Sequence, residues 1–267
     1  MFKTVLTEKK ELVNIFHYTP SIVNGNTPLV IFVPGNPGII NFYSNFLRSL
    51  VEKYPKYEIY GLSHRGFTGG DSNFGELYDL NQQVENTRFL LSNILNDRKG
   101  ANDNNNTQRP LILMGHSMGC YVLQKNIIEN YQLNYKKIIF FMPTIVDIHK
   151  SEAGSKLNLV FKILPAFYLL VGGLVTLAIN WLKLGWVFQI ISKKFYEGYV
   201  IQNQIYDFIT SSYFTKQALY LAKHEMNQIR DQWKDQHIFK NIIIGNNKDI
   251  FEMWFAGKDH RTFISIA

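Results

Sequence analysis

The sequence predicts an α/β fold, with a mostly parallel sheet covered by helices on both faces. Short apolar runs alternate with segments of helical periodicity up to about residue 150. Residues 115–119 read Gly-His-Ser-Met-Gly, a G-x-S-x-G pattern that lies between an apolar run and a helix-compatible stretch. A length of 267 residues suits one domain with an insertion, so we expect residues 1–267 to form a single domain.

Four apolar runs are predicted as parallel strands, because each is short, bounded by turn formers and rich in β-branched or aromatic residues. They cover residues 28–33, 57–62, 110–114 and 137–142. The segments between them have helical periodicity near residues 42–50, 77–95 and 120–125. A further strand is predicted at residues 250–256, and an Asn-rich loop at residues 101–107.

The alternation of strand and helix stops between about residues 150 and 230, where the pattern is mostly helical. We expect residues 150–230 to form a helical cap insertion within the domain, above the active-site edge of the sheet. Apolar residues at helical spacing continue through residues 201–233.

Residues 163–182 form an uncharged apolar run between Lys162 and Lys183, long enough by itself for a membrane-spanning helix. The paired glycines Gly172 and Gly173 divide this run into two apolar halves. As a helix, each half would reach about halfway across the hydrocarbon core of a bilayer. We therefore favour a hairpin that enters one leaflet or a phospholipid monolayer. The alternatives are a crossing helix and a buried lid of a soluble enzyme.

Composition narrows the class of partner and the compartment. The formal net charge of +7 favours anionic surfaces, but no compact Lys/Arg block with interleaved aromatics indicates a nucleic-acid partner. Cys120 is the single cysteine of the sequence, so the chain cannot form an internal disulfide, and a reducing compartment is favoured. We interpret Cys120 itself as a core residue. The N-terminal residues lack the apolar core of a signal peptide.

The serine of the G-x-S-x-G pattern is the candidate nucleophile of an acyl-transfer enzyme. A strand-to-helix turn would expose the Ser117 hydroxyl, and the backbone N–H of Met118 at the helix N-terminus would be the first oxyanion donor. The second donor should come from residues 34–38, Pro-Gly-Asn-Pro-Gly, after the first predicted strand. Since proline has no N–H, we favour Asn36, with Gly38 as the alternative and Gly35 as a further possible donor. We expect no cofactor and no metal.

The candidate acid is Asp259, which follows the late strand, and Asp231 is a weaker alternative because no strand clearly leads into it. The base is not identified. His260 lies beyond Asp259 but is adjacent to it, so its ring is poorly placed to bridge the acid and Ser117. We expect either that the chain ends before its base or that the base is unusual.

The remaining histidines are weaker candidates for the base. A side chain that directly precedes the nucleophile normally points elsewhere, which argues against His116, and His64 is expected to line the pocket. Four others have no positional argument: His17, His149, His224 and His237.

Residues 32–38, Phe-Val-Pro-Gly-Asn-Pro-Gly, and the serine motif at residues 115–119 together resemble the lipid droplet-associated hydrolase family. The resemblance covers nearly the whole chain through further matches at Phe42, Tyr43, Phe46, Ser63, His64, Gly66, residues 142–145, Ser151, Gly154, Tyr220, Leu221, Glu225, Met226 and residues 254–259.

The resemblance implies an α/β-hydrolase fold and a serine hydrolase that cleaves sterol esters or other neutral lipid esters. It also implies residence on lipid droplets and on the cytosolic face of the endoplasmic reticulum membrane, with the droplet monolayer or that membrane as partner. The first alternative is a catalytically impaired lipid-droplet-binding protein, because the base is not identified. The second is a soluble esterase in which residues 163–182 are only a lid.

Overall fold

The structure is a computed structural model that describes residues 1–8, 12–68, 75–96, 109–130, 132–187, 189–190, 199–231, 233–246 and 248–255. The described strands are β1 (Phe2–Leu6), β2 (Leu12–Tyr18), β3 (Leu29–Val33), β4 (Glu58–Leu62), β5 (Leu111–His116), β6 (Tyr135–Phe141) and β7 (Phe251–Trp254). They form one sheet in the order β1-β2-β4-β3-β5-β6-β7. The five strands from β4 to β7 are parallel, which confirms the predicted mostly parallel sheet.

The antiparallel strands β1 and β2 were not predicted from the sequence. β1 lies at the edge of the sheet, and none of its five side chains is fully buried. It therefore lacks the continuous apolar run that identifies a central parallel strand.

Eight helices are described: α1 (Ser44–Lys53), α2 (Leu80–Asn96), α3 (Met118–Glu129), α4 (Glu152–Ile163), α5 (Phe167–Thr176), α6 (Tyr199–Thr210), α7 (Ser212–Gln228) and α8 (Trp233–Asn246). Short 3₁₀ turns cover Ile40–Tyr43, Ile148–Lys150 and Lys248–Ile250, and a π turn covers Leu177–Trp181. α2 begins three residues later than predicted, because Asp79 and Gln82 form a capping box. Asp79 Oδ1 accepts from the Gln82 N–H at 2.9 Å, and Gln82 Oε1 accepts from the Asp79 N–H at 2.8 Å.

Two apolar clusters cover the two faces of the sheet. All five residues of β3 are buried, and they alternate between the clusters: Leu29, Ile31 and Val33 face one, Val30 and Phe32 the other. The first cluster includes side chains of α2, α3 and α8, and the second includes side chains of α1. Helices therefore pack on both faces of the sheet, as predicted.

The bend in the apolar segment is not at the paired glycines, so that prediction was wrong. Gly172 and Gly173 lie inside α5, and the chain instead bends by 90° between α4 and α5. Pro165 lies at this bend, has no N–H and disfavours helical backbone at the preceding residue. Gly172 serves packing, because a Cβ there would overlap the side chain of Lys216 on α7.

The single helical pattern at residues 201–233 is also divided in the structure. Ser211 separates α6 from α7, and its side chain caps α7 by accepting a hydrogen bond from the Phe214 N–H at 3.2 Å. Among the described helices, none by itself is long and apolar enough to cross a membrane. α4 and the stretch Phe167–Trp181 meet the length and composition criteria together, as a bent pair.

Candidate active site

The site lies where the carboxyl ends of the parallel strands meet at one edge of the sheet. β3 leads into residues 34–38, β4 into residues 63–66, β5 into Ser117, and β6 into residues 142–144. In open α/β sheets, ligands bind at this edge.

Ser117 forms the sharp turn between β5 and α3. Its backbone has φ 52° and ψ −122°, which is unfavourable for a residue with a Cβ and costs about 1–3 kcal/mol. Hydrogen bonds on both sides hold it there. The Ser117 N–H donates to the Phe141 carbonyl at 2.9 Å, and the Ser117 carbonyl accepts from the N–H groups of Cys120 at 3.0 Å and Thr144 at 3.3 Å. This is the strained strand-to-helix turn that exposes a nucleophilic serine in G-x-S-x-G enzymes.

Two glycines allow the turn to approach β3 closely. A Cβ on Gly119 would overlap the carbonyl oxygens of Val33 and Pro34, and a Cβ on Gly35 would lie 2.9 Å from Ser117 Cβ. The Pro-Gly-Asn-Pro-Gly loop is therefore packed directly against the candidate nucleophile, where an oxyanion loop must lie.

His64 supports this loop instead of lining a pocket, so the expectation for His64 was wrong. Its Nε2–H donates to the Pro34 carbonyl, and its backbone N–H donates to the Gly38 carbonyl, both at 2.9 Å. Its side chain is fully buried, and this burial lowers its pKa from 6.5 to about 4. His64 is therefore neutral and serves as a hydrogen-bond donor to the loop.

A second anchor runs from Gly35 to His116 through Tyr43. The Gly35 N–H donates to the Tyr43 hydroxyl oxygen at 3.3 Å, and the Tyr43 hydroxyl lies 2.8 Å from His116 Nδ1. Burial raises the pKa of the Tyr43 phenol and lowers that of His116 to about 4, so Tyr43 donates and the neutral imidazole accepts. The Gly35 N–H and His116 Nδ1 therefore already form hydrogen bonds. Within the loop, this leaves the backbone N–H groups of Asn36 and Gly38 as candidate oxyanion donors.

The third anchor is the Asn36 side chain. Its Nδ2 donates to the Ala218 carbonyl at 2.9 Å and to Glu225 Oε1 at 2.8 Å, and both acceptors lie on α7. Within the described residues, the backbone N–H groups of Asn36 and Gly38 have no hydrogen-bond partner. The Met118 N–H belongs to the first turn of α3 and has no acceptor within the helix.

α7 contacts the rest of the site through a stripe of residues four apart: Tyr213, Gln217, Leu221 and Glu225, all buried. The Tyr213 hydroxyl donates to the Glu76 carbonyl at 2.8 Å, and Gln217 bonds to both backbone groups of Tyr78. Glu225 is 4% exposed, and burial raises its pKa from 4.5 to about 7, with the Asn36 hydrogen bond opposing that rise.

The polar members of this stripe, Gln217 and Glu225, were not placed on the buried face of α7 from the sequence, because helical periodicity was counted on apolar residues alone. Their four-residue spacing from Tyr213 and Leu221 was the signal that could have placed them on the buried face of α7.

The predicted acid Asp259 and the adjacent His260 lie outside the described residues. β7, which leads toward Asp259, pairs with β6, and the Met142 N–H donates to the Trp254 carbonyl at 2.7 Å. Asp231 is exposed just after α7. Asp259 therefore stays the predicted acid, and Asp231 stays the weaker alternative.

Two of the other described histidines, His17 and His224, contact residues outside the serine turn. His17 lies on β2 and bonds to Glu58 at the amino end of β4, away from the active-site edge. On α7, His224 Nδ1 is 3.2 Å from Gln228 Nε2. The residues that the structure describes include no group of three or more His, Cys, Asp or Glu side chains that could hold a metal ion.

Comparison with known proteins identifies the family. The model of the family described as "Lipid-droplet associated hydrolase" matches residues 26–263 of this chain. The chain is 28% identical over 134 residues to the lipid droplet-associated hydrolase of Dictyostelium discoideum, covering 49% of this chain and 42% of that protein. It is 29% identical over 160 residues to that of Gallus gallus, covering 54% and 46%. Each match therefore covers less than half of the relative's own length.

Solved structures agree on the fold. MGS-M2, an α/β hydrolase from a Medee basin deep-sea metagenome library, superposes with a TM-score of 0.55 at 14% identity, over 98% of this chain and 92% of that one. The sheet, the serine turn and the family match lead to one conclusion. This chain has an α/β-hydrolase fold and belongs to the lipid-droplet associated hydrolase family.

Proposed function

We propose that the protein is a serine hydrolase that cleaves an ester bond. The observation that carries this proposal is the strained backbone of Ser117 between β5 and α3, packed against the loop of residues 34–38. Ser117 Oγ attacks the acyl carbonyl, and the carbonyl oxygen, now negatively charged, accepts hydrogen bonds from the N–H groups of Asn36 and Met118. The bond to the alcohol oxygen breaks, the alcohol leaves with the proton that the Ser117 hydroxyl gave up, and water then hydrolyses the acyl-enzyme to release the acid and restore that hydroxyl. Asp259 is the proposed acid, and none of the described histidines is proposed as the base.

The proposed substrate is a neutral lipid ester, such as a sterol ester, at the surface of a lipid droplet. Two observations support it. Relatives of this chain are named lipid droplet-associated hydrolases. The segment that begins at the last residue of α4 also exposes many large apolar side chains to solvent, more than is usual on the surface of a soluble monomer. They include Ile163, Leu164, Leu169, Leu170, Leu174, Leu177, Trp181, Leu182 and Trp186.

We propose that this apolar face contacts the droplet monolayer or the cytosolic face of the endoplasmic reticulum membrane. Trp181 is 79% exposed and Ile163 is 74% exposed, so neither contributes much to the protein core. Tryptophan favours the boundary between lipid and water, and Lys183 lies two residues beyond Trp181. The bent arrangement of α4 and α5 suits a shallow insertion that leaves the catalytic domain on one side.

A flotation assay tests the lipid contact. Artificial droplets of triacylglycerol coated with phosphatidylcholine are mixed with the protein and centrifuged. Replacing Ile163, Leu174 and Trp181 together with serine should move the protein from the floating fraction to the soluble fraction. Ile22, which is 76% exposed outside this segment, supplies the control Ile22→Ser, which should still float. Equal flotation of the triple variant and the control would contradict the proposed contact.

A fluorophosphonate probe tests the hydrolase. Labelling that is lost in Ser117→Ala and kept in the exposed control Ser21→Ala supports an activated serine. The second candidate function is a catalytically impaired protein that binds lipid droplets. It is favoured by the exposed apolar face and by the lack of an identified base among the described histidines. Intact protein that floats with droplets and does not react with the probe would support this second function.

A further inference from the structure

We infer that Glu225 is a positioning residue: its carboxyl group, together with the Ala218 carbonyl, holds the Asn36 side chain and so places the Asn36 backbone N–H for the oxyanion formed at Ser117. This inference rests on the proposed function. Because α7 belongs to the mostly helical residues 150–230, these residues would help to complete the site.

Both hydrogens of the Asn36 side-chain amide nitrogen are accepted by α7, whereas the amide oxygen is buried without a hydrogen-bond partner among the described residues. A side-chain amide nitrogen has two hydrogens, and they are accepted by the Ala218 carbonyl at 2.9 Å and by Glu225 Oε1 at 2.8 Å. Ala218 and Glu225 are seven residues apart, two turns along one face of the helix. The amide is therefore held at two points against a rigid element.

The other anchors of the loop come from residues outside α7 and do not contact Asn36 by hydrogen bonds. His64 holds the carbonyls of Pro34 and Gly38, and Tyr43 holds the Gly35 N–H. Within the described residues, the side chain of Asn36, which lies between these anchors, hydrogen-bonds to α7 alone. Loss of the α7 contact would therefore release the residue whose backbone N–H is the proposed donor.

Glu225 is costly to keep at this position, which argues for a role beyond packing. It is 4% exposed, and no Lys, Arg or His within the described residues forms an ion pair with it. A buried carboxyl without a cation is unfavourable, and an apolar residue of similar size would avoid that cost. The hydrogen bond to Asn36 is what an apolar residue could not supply.

Three variants of the full chain separate positioning from packing. Glu225→Gln keeps an acceptor for Asn36 Nδ2, and Glu225→Leu removes it. Gln217→Leu is the matched control, because Gln217 lies on the same buried face of α7 but bonds to the backbone of Tyr78 and not to the loop. The measurements are kcat and KM on a soluble ester, and hydrogen exchange of the peptide containing residues 34–38.

We expect Glu225→Leu to lower kcat by about 10- to 100-fold with little change in KM, less than the roughly 100- to 1,000-fold loss for removing an oxyanion donor outright. Exchange of residues 34–38 should become faster in this variant. Glu225→Gln should restore both kcat and slow exchange, and Gln217→Leu should leave exchange in the loop unchanged. Glu225→Leu with the kcat of Glu225→Gln, or Gln217→Leu with the same effect as Glu225→Leu, would overturn the inference.

The exchange measurement does not depend on activity, so the two proposals can fail separately. If intact protein does not react with the fluorophosphonate probe, the proposed function fails, and exchange still decides whether Glu225 holds the loop. If the protein reacts and Glu225→Leu reacts as fast as Glu225→Gln, the proposed function stands and the positioning inference is wrong.

Discussion

The buried carboxyl of Glu225 predicts a pH dependence of stability that Glu225→Gln should remove. Its pKa is raised from 4.5 to about 7 in the folded protein by burial. In the unfolded chain the group is in water and ionises at its ordinary pKa. Between these two values the unfolded chain has lost its proton and the folded protein has kept it, so rising pH favours unfolding.

The magnitude follows from the two pKa values. One pH unit between them is worth about 1.4 kcal/mol, so the full difference is about 3 kcal/mol, complete above about pH 8 and absent well below 4.5. Glu225→Gln keeps the hydrogen bond to Asn36 but does not titrate. Relative to this variant, the original protein should lose about 2–3 kcal/mol of unfolding free energy between about pH 5 and about pH 8.

Urea denaturation of both proteins at several pH values measures this difference directly. Comparing the two proteins at each pH cancels the titration of all other groups. Glu152→Gln, at an exposed position of α4, is the control for loss of a surface carboxylate and should not reproduce the trend. If the difference in unfolding free energy between the original protein and Glu225→Gln stays constant across pH, Glu225 does not have a raised pKa in the folded protein.

Two further predictions concern the loop of residues 34–38. Gly35→Ala should lower the rate at which Ser117 reacts with the fluorophosphonate probe, because the new Cβ would lie 2.9 Å from Ser117 Cβ. The same overlap should destabilise the protein by about 1–3 kcal/mol. Gly173→Ala, where a Cβ meets open space, should be neutral or slightly stabilising by denaturant unfolding. Acidification should also destabilise the protein as pH falls from about 6.5 toward 4, because the folded protein keeps His64 neutral while the unfolded chain gains the proton. His64→Gln, which cannot titrate and retains an amide donor for the Pro34 carbonyl, should show a smaller acid loss; an identical loss would contradict this role of His64.

The central sheet could be predicted because its strands are buried on both faces. β3 and β4 are fully buried; β3 is a continuous apolar run, and β4 is apolar or aromatic apart from Glu58 and Gly61. β1 could not be predicted, because an exposed edge strand has no such run. The bend before α5 was placed at the wrong residues, because Gly172 serves helix packing against Lys216, a contact that the local sequence does not reveal.

The serine turn could be predicted because its requirements are local: a strand, two glycines and a helix within a few residues. The anchors that hold the loop of residues 34–38 could not be predicted from the sequence. Asn36 and Glu225 are 189 residues apart in the chain and meet only when α7 packs over the sheet edge. His64 was expected in a pocket because it follows a strand, but Gly38 lies against its ring and keeps the side chain buried.

Ser117 is tested most directly as the nucleophile by finding where an ester-mimicking fluorophosphonate attaches to the intact protein, by mass spectrometry of its peptides. We expect one adduct, on Ser117, whose rate of formation falls in Gly35→Ala. An adduct on another residue, or equal labelling of Ser117→Ala and the original protein, would contradict the assignment of Ser117 as the nucleophile.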